Sequence, residues 1–162
     1  MSSPTLFKIT RGRQTKDTPL FLDFDGVLAL DNWLSKKVLS LALLKQITPE
    51  RFAKINAWRT FLQEVNKNLC GQLGVVNSQK PTPFFILTSR LPEDRQATFK
   101  FLARYDLFPE NVIFRPSLSL SEVNFKIGIL MPLPSFQFYE NNPLVAQKLL
   151  ETVHEVKCEP YL

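Results

Sequence analysis

The chain has 162 residues, 44% of them apolar, which is the size and composition of one ordinary globular domain. Its longest apolar runs are only as long as strands, whereas a membrane span needs about 20 consecutive apolar residues, so we expect a cytoplasmic protein without membrane contact. A net charge of +5 favours anionic partners, although it is modest for a dedicated nucleic-acid-binding protein.

The first segment, residues 1–18, is polar and basic. It contains Lys8, Arg11, Arg13 and Lys16 and shows no sustained apolar period, so we predict a loose or partly ordered basic N-terminal arm ahead of a domain that spans residues 19–162. The pattern changes at residue 20, where a short apolar run ends in Asp23, Asp25 and a glycine. This is typical of a buried parallel strand that ends at a loop.

A helical insert is predicted at residues 32–80, as a small cap or an extra helical layer. Residues 32–47 have helical apolar spacing. A second helix is expected to begin after Thr48, since Thr-Pro-Glu supplies an N-cap, a proline at the first helical position and an acid in the first turn. Its apolar face is predicted to continue to Leu69, and residues 70–83 have the composition of a loop.

Strands and helices then alternate with short connections. The predicted strands cover residues 84–88, 111–114, 136–140 and 155–158, and the predicted helices cover residues 92–105, 119–131 and 143–153. This alternation indicates an α/β fold, with a Rossmann-like parallel sheet and helices on both of its faces. In such sheets functional residues collect at the carboxyl ends of the strands.

Chemically active residues stand at these strand ends. Asp23 and Asp25 follow the first strand, and Lys126 lies in the helix that leads to the strand ending at Glu140. Together with the residues after the second strand, this set suits phosphoryl transfer, and its members are Asp23, Asp25, Thr88, Ser89, Arg90, Lys126, Glu140 and Asn141.

Each group has a physical role in that reaction. A phosphate ester repels nucleophiles, so a hard cation with oxygen ligands such as Mg²⁺ is expected beside Asp23 and Asp25. Asp23 would attack phosphorus to form an aspartyl phosphate, while Asp25 would act as the acid and base. Thr88 and Lys126 would hold the transferring phosphoryl oxygens.

The chain resembles the haloacid dehalogenase superfamily in four ordered motifs. Phe21-Leu22-Asp23-Phe24-Asp25-Gly26 resembles the first, and Ile86-Leu87-Thr88-Ser89-Arg90 resembles the second. Lys126 is placed as the third-motif lysine, and Glu140-Asn141-Asn142 stands where the acidic fourth motif belongs. The resemblance implies a Mg²⁺-dependent phosphatase, with Glu140 and Asn141 as further metal ligands.

Within that superfamily the chain is similar to the phosphatase-like domains of RNA repair and polynucleotide 3′-end healing. That similarity implies a nucleotide or nucleic-acid terminal phosphate as substrate, with Ser89 and Arg90 contacting it. It also makes nucleic acid a candidate partner of a monomer or weak dimer.

The fourth motif departs from the pattern, because Asn141 stands where relatives carry a metal-binding aspartate. An amide oxygen can ligate Mg²⁺ but brings no charge, so metal affinity should fall. A catalytically weak or silent module that binds a phosphorylated partner is therefore the alternative. A phosphotransferase or a phosphonatase would use the same aspartate nucleophile.

Overall fold

The computed structural model describes residues 6–43, 48–76 and 79–161. Within these ranges the helices are α1 (Trp33–Leu43), α2 (Pro49–Leu62), α3 (Lys67–Leu73), α4 (Arg95–Arg104), α5 (Glu122–Leu130) and α6 (Pro143–Thr152). The strands are β1 (Leu6–Arg11), β2 (Leu20–Leu22), β3 (Ala29–Leu30), β4 (Glu64–Val65), β5 (Phe85–Thr88), β6 (Asn111–Phe114), β7 (Phe136–Glu140) and β8 (Val156–Tyr161). A 3-10 turn, Pro92–Asp94, precedes α4.

The central sheet has the strand order β6-β5-β2-β7-β1-β8. Strands β6, β5, β2 and β7 run parallel to one another, whereas β1 is antiparallel to both β7 and β8. The fold is therefore mixed α/β with a mostly parallel sheet, consistent with the predicted Rossmann-like arrangement. The carboxyl ends of the four parallel strands lie at the same edge, which is where the predicted site residues follow them.

Successive strand residues point to opposite faces of the sheet and enter two separate cores. Leu22 of β2 packs with residues of α3 and α4 in one core, whereas its neighbour Phe21 packs with residues of α5 and α6 in the other. Helices thus cover both faces, as predicted. Among the described residues, no helix has the length and apolar content needed to cross a membrane.

Part of the predicted N-terminal arm is instead a strand of the sheet. Phe7 pairs with Glu140 of β7, and Ile9 is completely buried in the core beneath α6. Arg11 is not a solvated charge, because its guanidinium donates to the backbone oxygens of Met131 at 2.7 Å and Leu133 at 2.8 Å. The prediction of a loose arm is wrong from Leu6 to Arg11, and residues 1–5 lie outside the described ranges.

The helical insert has the predicted first two helices but a different end. Thr48 accepts a hydrogen bond from the Arg51 N–H at 3.3 Å, which confirms the N-cap of α2. The predicted continuation of that helix to Leu69 is wrong: α2 ends at Leu62, β4 pairs with β3, and Asn66 caps the short helix α3. The end of the predicted first helix, residues 44–47, lies outside the described part of the chain.

Candidate active site

Asp23 lies at the carboxyl end of β2, where the sheet fixes its backbone. Its N–H donates to the backbone oxygen of Tyr139 in β7 at 3.1 Å, and its side-chain Oδ1 accepts from the Phe24 N–H at 2.8 Å. The side chain is nearly inaccessible, since the residue is 3% exposed. The remaining carboxylate oxygen, Oδ2, faces the end of β7 and the helix α5.

Lys126 holds three carboxylates together. Its ammonium lies 3.2 Å from Asp23 Oδ2, and it donates to Glu140 Oε2 at 2.7 Å and to Glu122 Oε1 at 2.9 Å. Glu122 and Lys126 stand four residues apart on α5, so they share one face of that helix. The structure thus brings Asp23, Lys126 and Glu140 together as the strand-end argument predicted, and it adds Glu122. We call Asp23, Glu122 and Glu140 the carboxylate trio.

Burial and neighbouring charges together raise the pKa values of both Asp23 and Lys126. Desolvation raises the pKa of Asp23 well above its usual range, and the neighbouring Glu140 carboxylate adds to that rise against the opposing effect of Lys126. Burial alone would lower the pKa of Lys126, but the three carboxylates outweigh it, so the lysine stays protonated. Lys126 is therefore a permanent positive charge beside Asp23.

The carboxylate trio could hold a metal ion. One oxygen from each residue lies within 4.8 Å of the others. When all three are ionised, a single ammonium leaves a formal charge of −2, which is costly to bury and which a divalent cation would balance. Hard oxygen donors of this kind fit Mg²⁺ or Ca²⁺ in type, although they do not identify the metal.

This trio differs from the metal ligands we predicted. Glu122 takes part where the sequence suggested Asp25, whose carboxylate is held by other groups. In the orientation that satisfies its hydrogen bonds, the Asn141 side-chain nitrogen donates to Asp23 Oδ2 at 3.2 Å and to Glu140 Oε1 at 3.1 Å. Asn141 acts here as a donor to the carboxylates, so metal ligation through its oxygen remains a prediction.

Gly26 allows the close approach of Asn141. Its φ of +80° is rarely adopted by other residues, and a Cβ placed there would overlap the side-chain amide of Asn141. The glycine of the Asp-x-Asp-Gly sequence is therefore required by both backbone conformation and packing against the fourth motif.

We expect Gly26→Ala to reduce the free energy of unfolding by about 2 kcal/mol or more, from the strained φ and the overlap with Asn141. The matched control is Gly128→Ala in α5, where a Cβ would meet nothing within 4 Å. That substitution should be neutral or stabilising by up to about 1 kcal/mol, because alanine favours the helix. Urea unfolding measures both, and equal stability of the two variants would contradict the packing argument.

Asp25 is bound by a different set of groups, which we call the Asp25 cluster: Asp25, Arg90, Arg59 and Gln63. Arg90 contacts both carboxylate oxygens, with Nε 2.8 Å from Oδ2 and Nη2 2.9 Å from Oδ1. From α2 and its C-cap, Arg59 lies 3.3 Å from Oδ1, and Gln63 donates to the same oxygen at 2.9 Å. The cluster therefore ties the helical insert to the edge of the sheet.

Arg90 uses every one of its side-chain N–H groups inside the protein. Besides its two bonds to Asp25, it donates to Gln63 Oε1 at 3.0 Å, Thr60 Oγ1 at 2.8 Å and Thr98 Oγ1 at 3.3 Å. Its guanidinium also stacks over the Phe24 ring at 4.4 Å. This differs from the predicted contact of Arg90 with substrate, because no N–H of the guanidinium remains for a phosphate.

The cluster fixes the charge of Asp25. Burial by itself would raise the pKa of Asp25, but the Arg90 guanidinium, assisted by Arg59 and Gln63, holds it well below its usual range. Asp25 is therefore ionised near neutral pH. In this arrangement it has no proton to donate to a leaving group.

Thr88 and Ser89 follow β5 at the same edge of the sheet. Thr88 is completely buried, and its hydroxyl oxygen accepts from the Arg90 N–H at 3.1 Å. Ser89 is partly exposed and lines a cleft together with Asp25 and Arg115. Ser89 thus remains accessible to a ligand, as the predicted substrate contact requires.

Sequence reasoning missed several residues of this region. Glu122 could have been found, since it precedes Lys126 by one helical turn. Arg115 could also have been found, as it is the first residue after β6 and so obeys the strand-end rule. Arg59 and Gln63 gave no such signal, because their contacts depend on how α2 packs against the sheet edge.

No family model matches this chain, and no curated protein matches it by sequence. Two solved structures align with 88% of the chain at 16% identity: the Pnkp1/Rnl/Hen1 complex, with a TM-score of 0.43, and the Pnkp1/Rnl/Hen1 RNA repair complex, with a TM-score of 0.44. The alignment spans 38% and 35% of the chains in those structures, little more than a third of their length. A likeness at this level concerns the arrangement of secondary structure alone.

Proposed function

We propose that this chain is a Mg²⁺-dependent phosphohydrolase that uses Asp23 as its nucleophile and acts on a nucleotide or nucleic-acid terminal phosphate. The observation that supports this proposal best is the placement of Asp23. Its carboxylate lies at a strand end beside a protonated lysine and two further carboxylates. Phosphoryl transfer requires such a combination of nucleophile, fixed positive charge and oxygen ligands.

In the proposed reaction, a carboxylate oxygen of Asp23 bonds to phosphorus while the bond from phosphorus to the leaving oxygen breaks. Water then attacks the aspartyl phosphate, which releases phosphate and regenerates Asp23. Lys126 lowers the pKa of Asp23 against the opposing effects of burial and Glu140, and it attracts the phosphoryl oxygens. Mg²⁺ would be held by the carboxylate trio, and when bound it would supply charge neutralisation for the phosphate.

The Asp25 cluster sets a condition on the first step. General acid catalysis of the departing oxygen typically contributes 10²–10⁴-fold to the rate. Asp25 can supply that proton only after it separates from Arg90 and becomes protonated. Phenolate-type leaving groups depart without a proton, so they should depend much less on this rearrangement.

We therefore expect p-nitrophenyl phosphate to be hydrolysed with at least about a hundredfold higher kcat than glycerol 2-phosphate at pH 7. Removal of divalent ions with EDTA should abolish both activities, and added Mg²⁺ should restore them. Release of inorganic phosphate measures turnover with each substrate. Absence of Mg²⁺-dependent hydrolysis of the aryl ester would refute the proposed activity.

Basic and aromatic side chains on α4 and α2 support the proposed nucleic-acid substrate. Helix α4 contains Arg95, Lys100 and Arg104 and no acidic residue. On the neighbouring helix α2, Trp58 and Phe61 are 66% and 69% exposed. Basic groups with exposed aromatic rings suit single-stranded nucleic acid. A panel of RNA and DNA oligonucleotides with 3′- and 5′-phosphates, compared with mononucleotides, identifies the preferred substrate.

One specific observation favours a second function, in which the protein binds a phosphorylated ligand but does not hydrolyse it. Both Asp25 and Asn141 are engaged within the protein, Asp25 by Arg90 and Asn141 as a donor to the carboxylate trio. Calorimetric titration with Mg²⁺ separates the two functions. Lack of binding at millimolar metal would favour the silent module.

The Asn141→Asp substitution tests whether Mg²⁺ binds at the carboxylate trio. We expect it to destabilise the metal-free protein by about 1–2 kcal/mol, because two hydrogen bonds to carboxylates become repulsive contacts. The same substitution should strengthen Mg²⁺ binding by about tenfold, since it adds a charged oxygen ligand. Urea unfolding and calorimetry measure the two effects. Weaker Mg²⁺ binding in the variant would show that the metal does not bind at the trio.

A further inference from the structure

A cleft of about 360 Å³ opens between the helical insert and the edge of the sheet. Asp25, two residues after Asp23, forms part of its lining. Phe52 of α2, together with Leu91 and Leu118, supplies apolar surface, and Ser89 and Arg115 supply polar groups. Leu118 is 63% exposed, although it is a large apolar side chain. The cleft thus combines an apolar wall with a cationic end.

Arg115 differs from the other arginines of this cleft in its partners. Arg90 and Arg59 are each paired with aspartates. Arg115 instead donates to backbone oxygens, from Nε to Ser89 at 3.1 Å and from Nη1 to Leu120 at 3.4 Å. Within residues 6–43, 48–76 and 79–161 it has no carboxylate within 4.0 Å. Its second terminal nitrogen makes no hydrogen bond to those residues, so the guanidinium can still bind an anion.

The sheet fixes how far Arg115 stands from Asp23. Arg115 directly follows β6 and Asp23 directly follows β2, and β5 lies between these two strands. The register places Asp23 level with Ile113, two residues before Arg115. Since neighbouring strands are about 4.8 Å apart and a strand rises about 3.3 Å per residue, the two backbones are separated by about 12 Å. A ligand with its reacting phosphate at Asp23 would span this distance to reach Arg115.

We infer that Arg115 is an anion-binding residue of a specificity cleft, which selects ligands that carry a second anionic group, phosphate or carboxylate, beyond an apolar body. This inference rests on the proposed function, since it assumes that the first phosphate binds at Asp23. The apolar body packs against Phe52 and Leu118, and the second anion pairs with Arg115 and faces Ser89. Bidentate guanidinium pairs of this kind favour phosphate and carboxylate alike.

Three aryl phosphates test the inference by calorimetry. Phenyl phosphate has one anionic group, 4-carboxyphenyl phosphate adds a carboxylate, and 1,4-phenylene bisphosphate adds a phosphate. They are titrated into the Asp23→Asn protein with Mg²⁺, so that turnover does not interfere. We expect at least one of the two probes with a second anionic group to bind about tenfold more tightly than phenyl phosphate. The probe that gains more identifies the preferred second group.

The tighter binding of the probes that carry a second anionic group should depend on Arg115. In an Arg115→Gln background the tenfold ratio should fall to about one, whereas Arg115→Lys should retain part of it. The matched control is Arg11→Gln, which removes the same charge from an arginine that also donates to backbone oxygens and lies outside the cleft. Its ratio should stay near ten. Leu118→Ser should weaken all three probes.

Several results would overturn the inference: equal affinity for the three probes, a gain that survives in both Arg115 variants, or no measurable binding of any probe at millimolar concentration. Hydrolysis of phenyl phosphate by the unmodified protein decides the proposed function separately. Turnover without an Arg115-dependent preference would leave the phosphohydrolase intact and remove only the specificity cleft. Circular dichroism of each variant confirms that the fold is retained.

Discussion

Asp23→Asn should reduce kcat/KM for p-nitrophenyl phosphate by on the order of a thousandfold or more at saturating Mg²⁺. The amide cannot attack phosphorus, and Asp25, the other carboxylate that follows β2, is bound by Arg90. Asp17→Asn makes the same chemical change at an exposed position that precedes the amino end of β2, whereas Asp23 follows its carboxyl end, so it should leave turnover unchanged. Full activity in the Asp23→Asn protein would refute the nucleophile assignment.

The fold should survive this substitution, which separates lost chemistry from lost structure. The buried carboxylate of Asp23 carries an unfavourable charge, as its raised pKa indicates. A neutral amide removes that charge, and rotation of the Asn141 side chain can turn its oxygen toward the new N–H groups. We therefore expect the free energy of unfolding to change by no more than about 1 kcal/mol. A larger loss would mean that the Asp23–Lys126 pair supports the fold.

Much of the sheet could be predicted from the sequence because its strands are short and sharply bounded. Strands β6 and β7 have the bounds predicted for residues 111–114 and 136–140. Each is a short apolar run next to a proline or a capping sequence, and such signals are local. The convergence of Asp23, Lys126 and Glu140 then followed from one general property, that parallel strands end at a common edge.

The predictions that differ from the structure concern contacts between residues that are far apart in the sequence. β1 is stabilised by pairing with strands more than 120 residues away, and its alternating basic and apolar residues resemble a flexible arm when counted by composition. The Asp25 cluster is similar: Arg90 and Asp25 are 65 residues apart, and Gln63 reaches Asp25 only because α2 ends beside it. A motif predicts which residue types meet at a site, but tertiary packing decides which of them remain free to react.

Lys126→Met should cause the largest loss of stability, about 3–5 kcal/mol near neutral pH without divalent ions. Methionine fills a similar volume, but it leaves three carboxylates without the ammonium that contacts them all. Protonation would relieve their repulsion, so the loss should shrink as the pH falls. Urea unfolding measures the effect, and Lys148→Met, at an exposed position of α6, is the control.

Two further measurements show whether the uncompensated charge of the carboxylates causes the loss of stability in the Lys126→Met protein. Lys126→Met combined with Glu140→Gln should recover part of the lost stability, because one of the uncompensated charges is gone. Mg²⁺ at a hundred times its Kd for the Lys126→Met protein should stabilise that variant by about 2.7 kcal/mol. The same Mg²⁺ concentration should stabilise the unmodified protein less, because its ammonium already offsets part of the negative charge of the trio. A loss below about 1 kcal/mol, or equal stabilisation of both proteins by Mg²⁺, would show that Lys126 does not neutralise this site. The buried lysine would then be a packing residue, and the electrostatic basis for activating Asp23 would be lost with it.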